Sequence, residues 1–224
     1  MLMNSFSVYH QCYKNKRATE FAIKKFREYN PEVPYYLISD NGDNFLDLAI
    51  KYKCYYYQDK VNTGMNYCSK EQAKRIYERL QECFAITKTD YIILMEDDVL
   101  CKGKVEINED YNLAMSYVPG NKLWLNDVIK QKYNPSPNVD WYGATGGSIL
   151  NKNIFTESKN IEIVNKFLDE DFNPVMGSMD QFITTLYLIC GYDCSVNPFL
   201  GETHRTPNWQ TSHHTLIHCF KEYY

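Results

Sequence analysis

The sequence predicts an α/β fold, a three-layer α/β/α sandwich around a mostly parallel central sheet. In about the first 100 residues, short apolar segments alternate with amphipathic ones in the order strand, helix, strand, helix, strand, helix, strand. This alternation is typical of a parallel sheet covered by helices on both faces. Polar residues follow the first, second and fourth strands, and such sheets bind ligands beyond the carboxyl ends of their strands. The length of 224 residues suits a single domain.

The first strand and helix are predicted between residues 6 and 29. Phe6 to His10 is a short strand, and Lys14 to Tyr29 has the period of an amphipathic helix. Asn30 and Pro31 end this helix. Its apolar residues recur every three or four positions and predict one buried face: Ala18, Phe21, Ala22, Phe26 and Tyr29.

The next two strands flank a second helix. Pro34 to Ser39 is an apolar strand, and the segment Asp40 to Asp43 that follows it is a strong turn signal. Asn44 to Lys53 is predicted as a helix, and Cys54 to Gln58 as the third strand.

A third helix leads to the most apolar strand. A polar loop precedes this helix, and Ser69 and Gln72 have the spacing of a capping box at its start. The helix runs to about Thr87 with an apolar face, and Tyr91 to Met95 then forms the fourth strand. That strand ends abruptly in Glu96-Asp97-Asp98.

The second half of the chain is less regular, and a histidine-rich tail ends it. Trp141 to Leu150 is predicted as a glycine-rich turn that enters a strand, and Met179 to Cys190 as a buried helix. The other predicted elements are short: Leu113 to Tyr117 and Leu123 to Lys130 as helix or strand, Ile161 to Phe167 as helix, and Cys194 to Val196 as strand.

Composition limits the function classes. The 24 basic and 28 acidic residues give a formal net charge of −4, which argues against a nucleic-acid binder, since that function needs a positive surface. The first residues lack the pattern of a secretory signal, and the longest apolar run is too short to cross a bilayer. Eight cysteines without a Cys-x-x-Cys pair indicate reduced thiols rather than disulfides or a zinc site. We therefore expect a cytoplasmic protein without a membrane span.

The acidic triplet Glu96-Asp97-Asp98 is the main candidate site. Adjacent carboxylates near a buried strand repel one another unless a cation neutralises them. Mg²⁺ and Mn²⁺ take oxygen ligands, often one or two carboxylates completed by phosphates and water. The alternative is a solvated acidic turn that starts the next segment.

The segment Tyr91 to Val99 resembles the metal-binding acidic motif of GT-A-fold glycosyltransferases, enzymes that use nucleotide sugars. In that family a hydrophobic strand is followed by Asp-x-Asp or a variant such as Glu-Asp-Asp. The resemblance implies a GT-A (Rossmann-like) fold and a Mn²⁺ or Mg²⁺ ion that bridges the two phosphates of a nucleoside diphosphate. It implies that Asp98 ligates the metal and that Glu96 and Asp97 play supporting parts in nucleotide binding, since the first acid of the family motif tends to face the ribose or sugar.

The resemblance also divides the single domain. It implies a nucleotide-binding half at about residues 1–100 and an acceptor-binding half at about 101–224. The small size and the composition rich in Tyr, Asn and Lys are similar to compact glycosyltransferase domains of large DNA viruses, including rhamnosyltransferase-like ones. A viral protein of this kind would lie in the host cytoplasm.

Two late residues resemble further GT-A ligands. Several members carry a late histidine that completes the metal shell and, a few residues on, a lysine that touches the diphosphate. His218 and Lys221 match that spacing, and neutral imidazole and an ammonium group suit these roles. His204, His213 and His214 remain alternatives for the metal, as does a loosely held tail with no ligand role.

Asp180 is the candidate catalytic base. The family places an acidic residue at the start of a helix beneath the acceptor, and inverting members use it to deprotonate the acceptor hydroxyl. A retaining enzyme would not use it so, and helix capping alone also explains a carboxylate at this position.

Nucleotide contacts are implied at the ends of the first two strands. In the family, the end of the first strand holds the base, and an acid after the second strand meets uracil or ribose. Tyr9, His10, Asp40 and Asn41 match these positions, and Tyr9 has a ring that can stack on a base. For Asp40 and Asn41, a plain turn is the alternative.

Other residues could touch the diphosphate, the sugar or the acceptor. Arg75 or Lys74, on the third predicted helix, could reach the diphosphate, although solvated helix charges are the alternative. Trp141, Gly146 and Gly147 could wall the sugar or acceptor, since glycine lets backbone approach a ligand closely. A plain turn into a strand explains the glycines equally well.

The sequence therefore predicts a metal-dependent glycosyltransferase. It would move a sugar from a UDP-linked donor, such as UDP-rhamnose or UDP-glucose, to a hydroxyl group of a glycan acceptor. A nucleotidyltransferase is the first alternative, but the glycine-rich loop that such enzymes carry after the first strand is absent. A noncatalytic nucleotide- or carbohydrate-binding module and a phosphotransfer domain are the others.

Overall fold

The predicted sandwich is confirmed in a computed structural model that describes residues 5–63, 69–116, 127–133, 143–173 and 178–222. Within these residues, the large sheet has seven strands, which lie side by side in the order Tyr55–Gln58 (β3), Tyr35–Ser39 (β2), Phe6–Cys12 (β1), Tyr91–Glu96 (β4), Ile149–Asn151 (β7), Leu113–Met115 (β6) and Cys194–Val196 (β8). A smaller sheet has the order Leu100–Cys101 (β5), Leu216–His218 (β10) and Leu200–Glu202 (β9). None of the helices in these ranges combines the length and the apolar character that crossing a membrane requires.

The first half of the chain alternates strands and helices as predicted, and β3, β2, β1 and β4 pair in parallel. The first helix begins two residues later than predicted, because the Asn15 side chain caps it by accepting a hydrogen bond from the Ala18 N–H. Ser69 and Gln72 form the predicted capping box. The elements are β1 Phe6–Cys12, α1 Lys16–Tyr29, β2 Tyr35–Ser39, α2 Leu46–Lys51, β3 Tyr55–Gln58, α3 Lys70–Thr87 and β4 Tyr91–Glu96.

The second half completes the large sheet with short strands. Antiparallel pairing of β7 with β4 and β6 makes the sheet mixed, and β8 pairs in parallel with β6. A π-helical turn at Phe167–Asp171 follows the sixth helix. The elements are β5 Leu100–Cys101, β6 Leu113–Met115, α4 Asp127–Tyr133, β7 Ile149–Asn151, α5 Asn153–Thr156, α6 Ser158–Lys166, α7 Met179–Ile189, β8 Cys194–Val196, β9 Leu200–Glu202 and β10 Leu216–His218.

Two hydrophobic clusters cover the two faces of the large sheet, as the three-layer prediction requires. Side chains alternate between faces along each strand, so Val8 joins one cluster and its neighbour Tyr9 the other. The cluster with Val8 contains Phe26 of α1, and the cluster with Tyr9 contains Leu80 of α3 and Leu186 of α7. The sheet is thus buried between helices, and its strand ends are left to carry polar groups.

The small sheet joins the C-terminal segment to the acidic triplet. Strand β10 pairs antiparallel with β5 and in parallel with β9. The Phe220 N–H also donates a hydrogen bond of 2.9 Å to the Asp98 carbonyl. The loosely held tail considered above is therefore wrong for Leu216–His218, since backbone pairing holds this segment beside the acidic triplet.

Candidate functional site

The three acidic side chains after β4 have different surroundings, and Asp97 lies among buried partners from β1 and α1. The Thr19 hydroxyl donates to its Oδ1 at 2.6 Å, and the Tyr13 N–H donates to its Oδ2 at 3.3 Å. His10 Nε2 lies 3.0 Å from Oδ1, and His10 Nδ1 lies 2.7 Å from the Tyr35 hydroxyl. The fully buried His10 therefore links Asp97 to β2. This network fixes the turn between β1 and α1.

Glu96 and Asp98 instead both approach the Nε2 atom of His218. His218 Nε2 is 3.6 Å from Glu96 Oε2 and 3.7 Å from Asp98 Oδ1. On the other side of the ring, His218 Nδ1 is 3.5 Å from Oε1 of Glu202, a side chain that is only 3% exposed. Asp98 Oδ1 is buried without a hydrogen-bond partner among the described residues. Such an orphaned acceptor is costly unless a cation or a donor meets it.

The electrostatics of this cluster favour opposite charges on its members. Burial would lower the pKa of His218, but hydrogen bonds with Cys219, Glu202 and Glu96 raise it well above its usual value. Burial would raise the pKa of Glu96, but the hydrogen bond and charge of His218 outweigh burial and lower it. Burial and the neighbouring charge of Glu96 raise the pKa of Asp98. A cation bound here would relieve the repulsion between the two carboxylates.

The donor set fits a hard divalent ion. A carboxylate oxygen of Asp98 and the imidazole of His218 lie close together at the carboxyl end of β4, as the sequence predicts. Oxygen and imidazole nitrogen ligands suit Mn²⁺ or Mg²⁺. The exposed Lys221 follows three residues after His218, and its positive charge lowers the pKa of both Glu96 and Asp98. Lys221 thus contributes positive potential at the same site.

Asp180 begins α7 close to this cluster. Burial and the charge of Glu96 raise its pKa to about 7. The backbone of Gly143 packs against it, since a Cβ built on Gly143 would lie 2.7 Å from the Asp180 Cβ. Ala144 N–H also donates a hydrogen bond to the Asp180 carbonyl at 3.0 Å. The glycine-rich turn therefore holds the start of α7 beside the acidic triplet.

Gly146 and Gly147 pack against the same centre. A Cβ on Gly146 would lie 2.6 Å from Val99 Cγ2, 3.1 Å from His218 Cδ2 and 3.4 Å from the Glu96 carboxyl carbon. Gly147 has a positive φ of 91°, and a Cβ there would meet Leu200 at 2.4 Å. The space at these two positions is thus filled by neighbours. Trp141, the third predicted acceptor residue, lies outside the described residues.

Replacing Gly146 with alanine should lower any activity of this centre by about tenfold to 100-fold, because the added methyl group would lie 2.6 Å from Val99 and 3.1 Å from His218, so that these side chains must move. Steady-state rates and the metal concentration for half-maximal rate would measure the loss. Gly103→Ala is the control, since its methyl group faces the Thr215 methyl at 3.0 Å instead. Equal rates for Gly146→Ala and the unchanged protein would contradict the prediction.

Of the predicted nucleotide contacts after β2, Asp40 is buried and Asn41 is exposed. Asp40 accepts hydrogen bonds from Arg79 Nη1 at 2.8 Å, Thr63 N–H at 2.9 Å and Gln11 Nε2 at 3.0 Å. Arg79 is fully buried, and sequence reasoning missed it. Its only sequence signal was its place among the apolar residues of the third predicted helix.

Tyr9 and Arg75 are the other two predicted nucleotide contacts near the Arg79 network. Tyr9 is buried, and its ring centroid is 6.4 Å from that of Tyr36. The partly buried Arg75 donates to Asp59 Oδ2 at 2.5 Å and lies 3.2 Å from both Glu78 and Glu82. The structure therefore places Arg75 in a group of carboxylates beside β3, apart from the Asp98 and His218 pair.

The other candidate histidines lie away from the acidic triplet. His204 Nε2 is 3.2 Å from Glu202 Oε2, and the rings of His213 and His214 stack with centroids 4.2 Å apart. His218 is thus the histidine whose ring nitrogen meets Asp98 among the described residues. Glu202 was not predicted from the sequence, although its position two residues before the candidate ligand His204 could have indicated it.

The sheet order and the site at the carboxyl end of β4 define the GT-A fold. A solved structure with this fold is the galactosyltransferase LgtC, crystallised in complex with donor and acceptor sugar analogs. The match has a TM-score of 0.54 and 15% sequence identity, and it covers 94% of this chain and 86% of that one. By sequence, the chain matches no protein-family model and no curated protein.

Proposed function

We propose that the protein is a metal-dependent glycosyltransferase that moves a sugar from a UDP-linked donor to a hydroxyl group of a glycan acceptor. The approach of Asp98 Oδ1 and His218 Nε2, 3.7 Å apart at the carboxyl end of β4, carries this proposal. Ligands bind at this edge in open α/β sheets. The fold shared with a galactosyltransferase supports the same class of reaction.

Asp98 and His218 would hold Mn²⁺ or Mg²⁺, which when bound supplies Lewis-acid stabilisation of charge on the leaving diphosphate. Lys221 adds a second, fixed positive charge beside the same phosphates. Glu96 orients the protonated form of His218 before loading and then faces the ribose or sugar. Gly146 lets the backbone pack closely against His218 and Glu96 and so helps to position both side chains.

The nucleotide would lie over the ends of β1, β2 and β4. Asp40 and Asn41 follow β2 and Asp97 follows β4, whereas Tyr9 and His10 lie inside β1, which runs two residues further than predicted, to Cys12. Asn41 has the exposed side chain among the five. We propose that Asn41 contacts the nucleotide directly and that the four buried residues form the floor beneath it. Arg75 is proposed to reach the diphosphate only by leaving its present carboxylate partners.

On the acceptor side, Asp180 is proposed as the base that deprotonates the attacking hydroxyl. Its pKa of about 7 suits a group that must accept a proton near neutral pH. Trp141, Gly146 and Gly147 are proposed to wall the sugar and acceptor. With Asp180 as base, the reaction would invert the anomeric configuration.

The rate of transfer should therefore rise as the pH rises through about 7, because only the ionised Asp180 accepts a proton. Asp180→Asn should lower kcat by at least about 100-fold at pH 8 and remove this rise. Because the raised pKa means that the charged form destabilises the folded state, the same variant should melt at a higher temperature at pH 8. An unchanged kcat would contradict the base assignment.

Thermal shifts with UDP, GDP and their sugars, each with and without Mn²⁺, test the proposed function. Ligands that bind the folded state raise its stability, so UDP with Mn²⁺ should raise Tm and UDP alone should raise it less. Slow hydrolysis of a UDP-sugar without acceptor should accompany binding. Binding without any hydrolysis would indicate a noncatalytic module, and no metal-dependent response to any nucleotide would refute the proposal.

A further inference from the structure

A second set of metal-ligand atoms lies next to the Asp98 and His218 pair. Glu202, His204 and Cys219 each offer one ligand atom, and the three atoms lie within 4.8 Å of one another. His204 Nε2 is 3.2 Å from Glu202 Oε2. Glu202 is buried, Cys219 is partly buried and His204 is half exposed, so the set is reachable from solvent on one side.

The pairing of the C-terminal strands builds this set. Glu202 of β9 lies opposite His218 of β10, which brings Cys219 beside the turn that follows β9. Thr203, between Glu202 and His204, anchors that turn twice: its N–H donates to the His218 carbonyl at 3.1 Å and its hydroxyl to the Cys219 carbonyl at 2.9 Å. These two hydrogen bonds, one from the backbone and one from the side chain of Thr203, hold the turn that carries His204 against the strand that carries Cys219.

The two oxygens of Glu202 face different partners, which separates this set from the Asp98 site. Oε1 lies 3.5 Å from His218 Nδ1, whereas Oε2 lies 3.2 Å from His204. The Cys219 sulfur is 3.6 Å from His218 Nδ1 and belongs to both groups of donors. An ion held by Glu202 Oε2 and His204 would therefore leave His218 Nε2 facing Asp98.

We propose that Glu202, His204 and Cys219 form a site for Zn²⁺. Thiolate, imidazole and carboxylate are the ligands that Zn²⁺ takes in proteins, and three protein ligands leave a fourth position for water or another group. A thiolate selects such a borderline-soft ion against Mn²⁺ and Mg²⁺, which prefer oxygen. Binding converts the Cys219 thiol to a thiolate and releases its proton to solvent. The proposal does not depend on glycosyl transfer.

Arg205 would compete with Zn²⁺ for the Oε2 atom of Glu202. Its Nη1 lies 3.0 Å from Glu202 Oε2, and its side chain is 36% exposed. Because the guanidinium group can turn into solvent, Zn²⁺ would replace it as the partner of this oxygen. Arg205→Ala should therefore tighten Zn²⁺ binding.

Titration of the full chain with Co²⁺, displaced afterwards by Zn²⁺, tests the proposal. Cobalt bound to a thiolate gives a sulfur-to-metal charge-transfer band that oxygen and nitrogen ligands do not give. Cys219→Ser should abolish the band, and His204→Gln should weaken Co²⁺ binding at least about tenfold. His204 is half exposed, so its variant tests the site even if Cys219→Ser fails to fold.

Two controls separate this site from the Asp98 site and from other thiols. Asp98→Asn should keep the band although it removes the proposed transfer activity, and Cys190→Ser should also keep it. A band that is lost in Asp98→Asn and kept in His204→Gln would overturn the proposal, since the sulfur would then act with Asp98 and His218. A protein without any charge-transfer band, or Arg205→Ala without tighter binding, would also overturn it.

Discussion

Replacing Asp98 with asparagine should lower metal-dependent sugar transfer by at least about 100-fold. The Asp98 carboxylate supplies the negative charge that holds a dication beside neutral His218 and positively charged Lys221, and the neutral amide of asparagine lacks this charge. The fold should persist, because Asp98 Oδ1 has no hydrogen-bond partner among the described residues and the backbone carbonyl keeps its bond to Phe220. Initial rates over a series of Mn²⁺ concentrations would measure the loss.

Two further acid-to-amide changes show whether that loss is specific. Asp193→Asn removes the same charge from an exposed position outside the site and should leave the rate unchanged. Asp97→Asn, one residue away, should instead lower stability, because Thr19 and His10 lose a buried charged acceptor. Full metal-dependent turnover in Asp98→Asn would remove the central assignment of the site.

The first half of the fold was predictable because its signals are local. Apolar runs such as Tyr91 to Met95, helix periods and turn residues each occur within a few positions of one another. The second half was predicted less well, because its strands have two or three residues and form through distant partners. Strand β10, for example, exists only through pairing with β5 and β9, more than ten residues away along the chain.

The same difference between local signals and distant partners applies to the candidate site. A motif with known spacing predicted Glu96, Asp98 and His218, and the structure brings these three side chains together. Their partners were not predictable from that motif, since Glu202 reaches His218 only through the register of the small sheet. The scattered cysteines gave no zinc pattern for the same reason: the proposed ligand Cys219 meets its partners through strand pairing, not through sequence spacing.

The buried network of Arg79 could not be predicted from the sequence either. The notable feature is a fully buried guanidinium whose Nη1 lies 2.8 Å from Asp40 Oδ1 and whose Nε lies 2.9 Å from Asp59 Oδ2. It also donates to the Val61 carbonyl at 2.7 Å and to the Thr63 hydroxyl at 2.8 Å. One side chain of α3 thus ties down the loops that follow β2 and β3.

Replacing Arg79 with methionine should lower the free energy of unfolding by about 3–5 kcal/mol, because Asp40 and Asp59 are left buried and unpaired. Total stabilities of domains are about 5–15 kcal/mol, so this is a large fraction. Urea unfolding would measure it. Arg75→Met is the matched control: Arg75 also meets Asp59, but in this variant Arg79 still pairs with Asp59, so we expect a clearly smaller loss than for Arg79→Met.

The free energy of unfolding at acid pH tests the same network independently. Burial raises the pKa of Asp59, but hydrogen bonds from Arg79, the Val61 N–H and Arg75 outweigh it and lower the pKa to about 2. A lowered pKa stabilises the fold above the ordinary value of about 4, and this contribution is lost as the pH falls towards 2. Arg79→Met should make the loss of stability below about pH 4 less steep, since the main hydrogen-bond donor that lowers the pKa of Asp59 is gone.

Adding Asp59→Asn to Arg79→Met should restore part of the lost stability by removing the orphaned charge. If the double variant is no more stable than Arg79→Met, the loss comes from packing, and the charge network does not hold these loops.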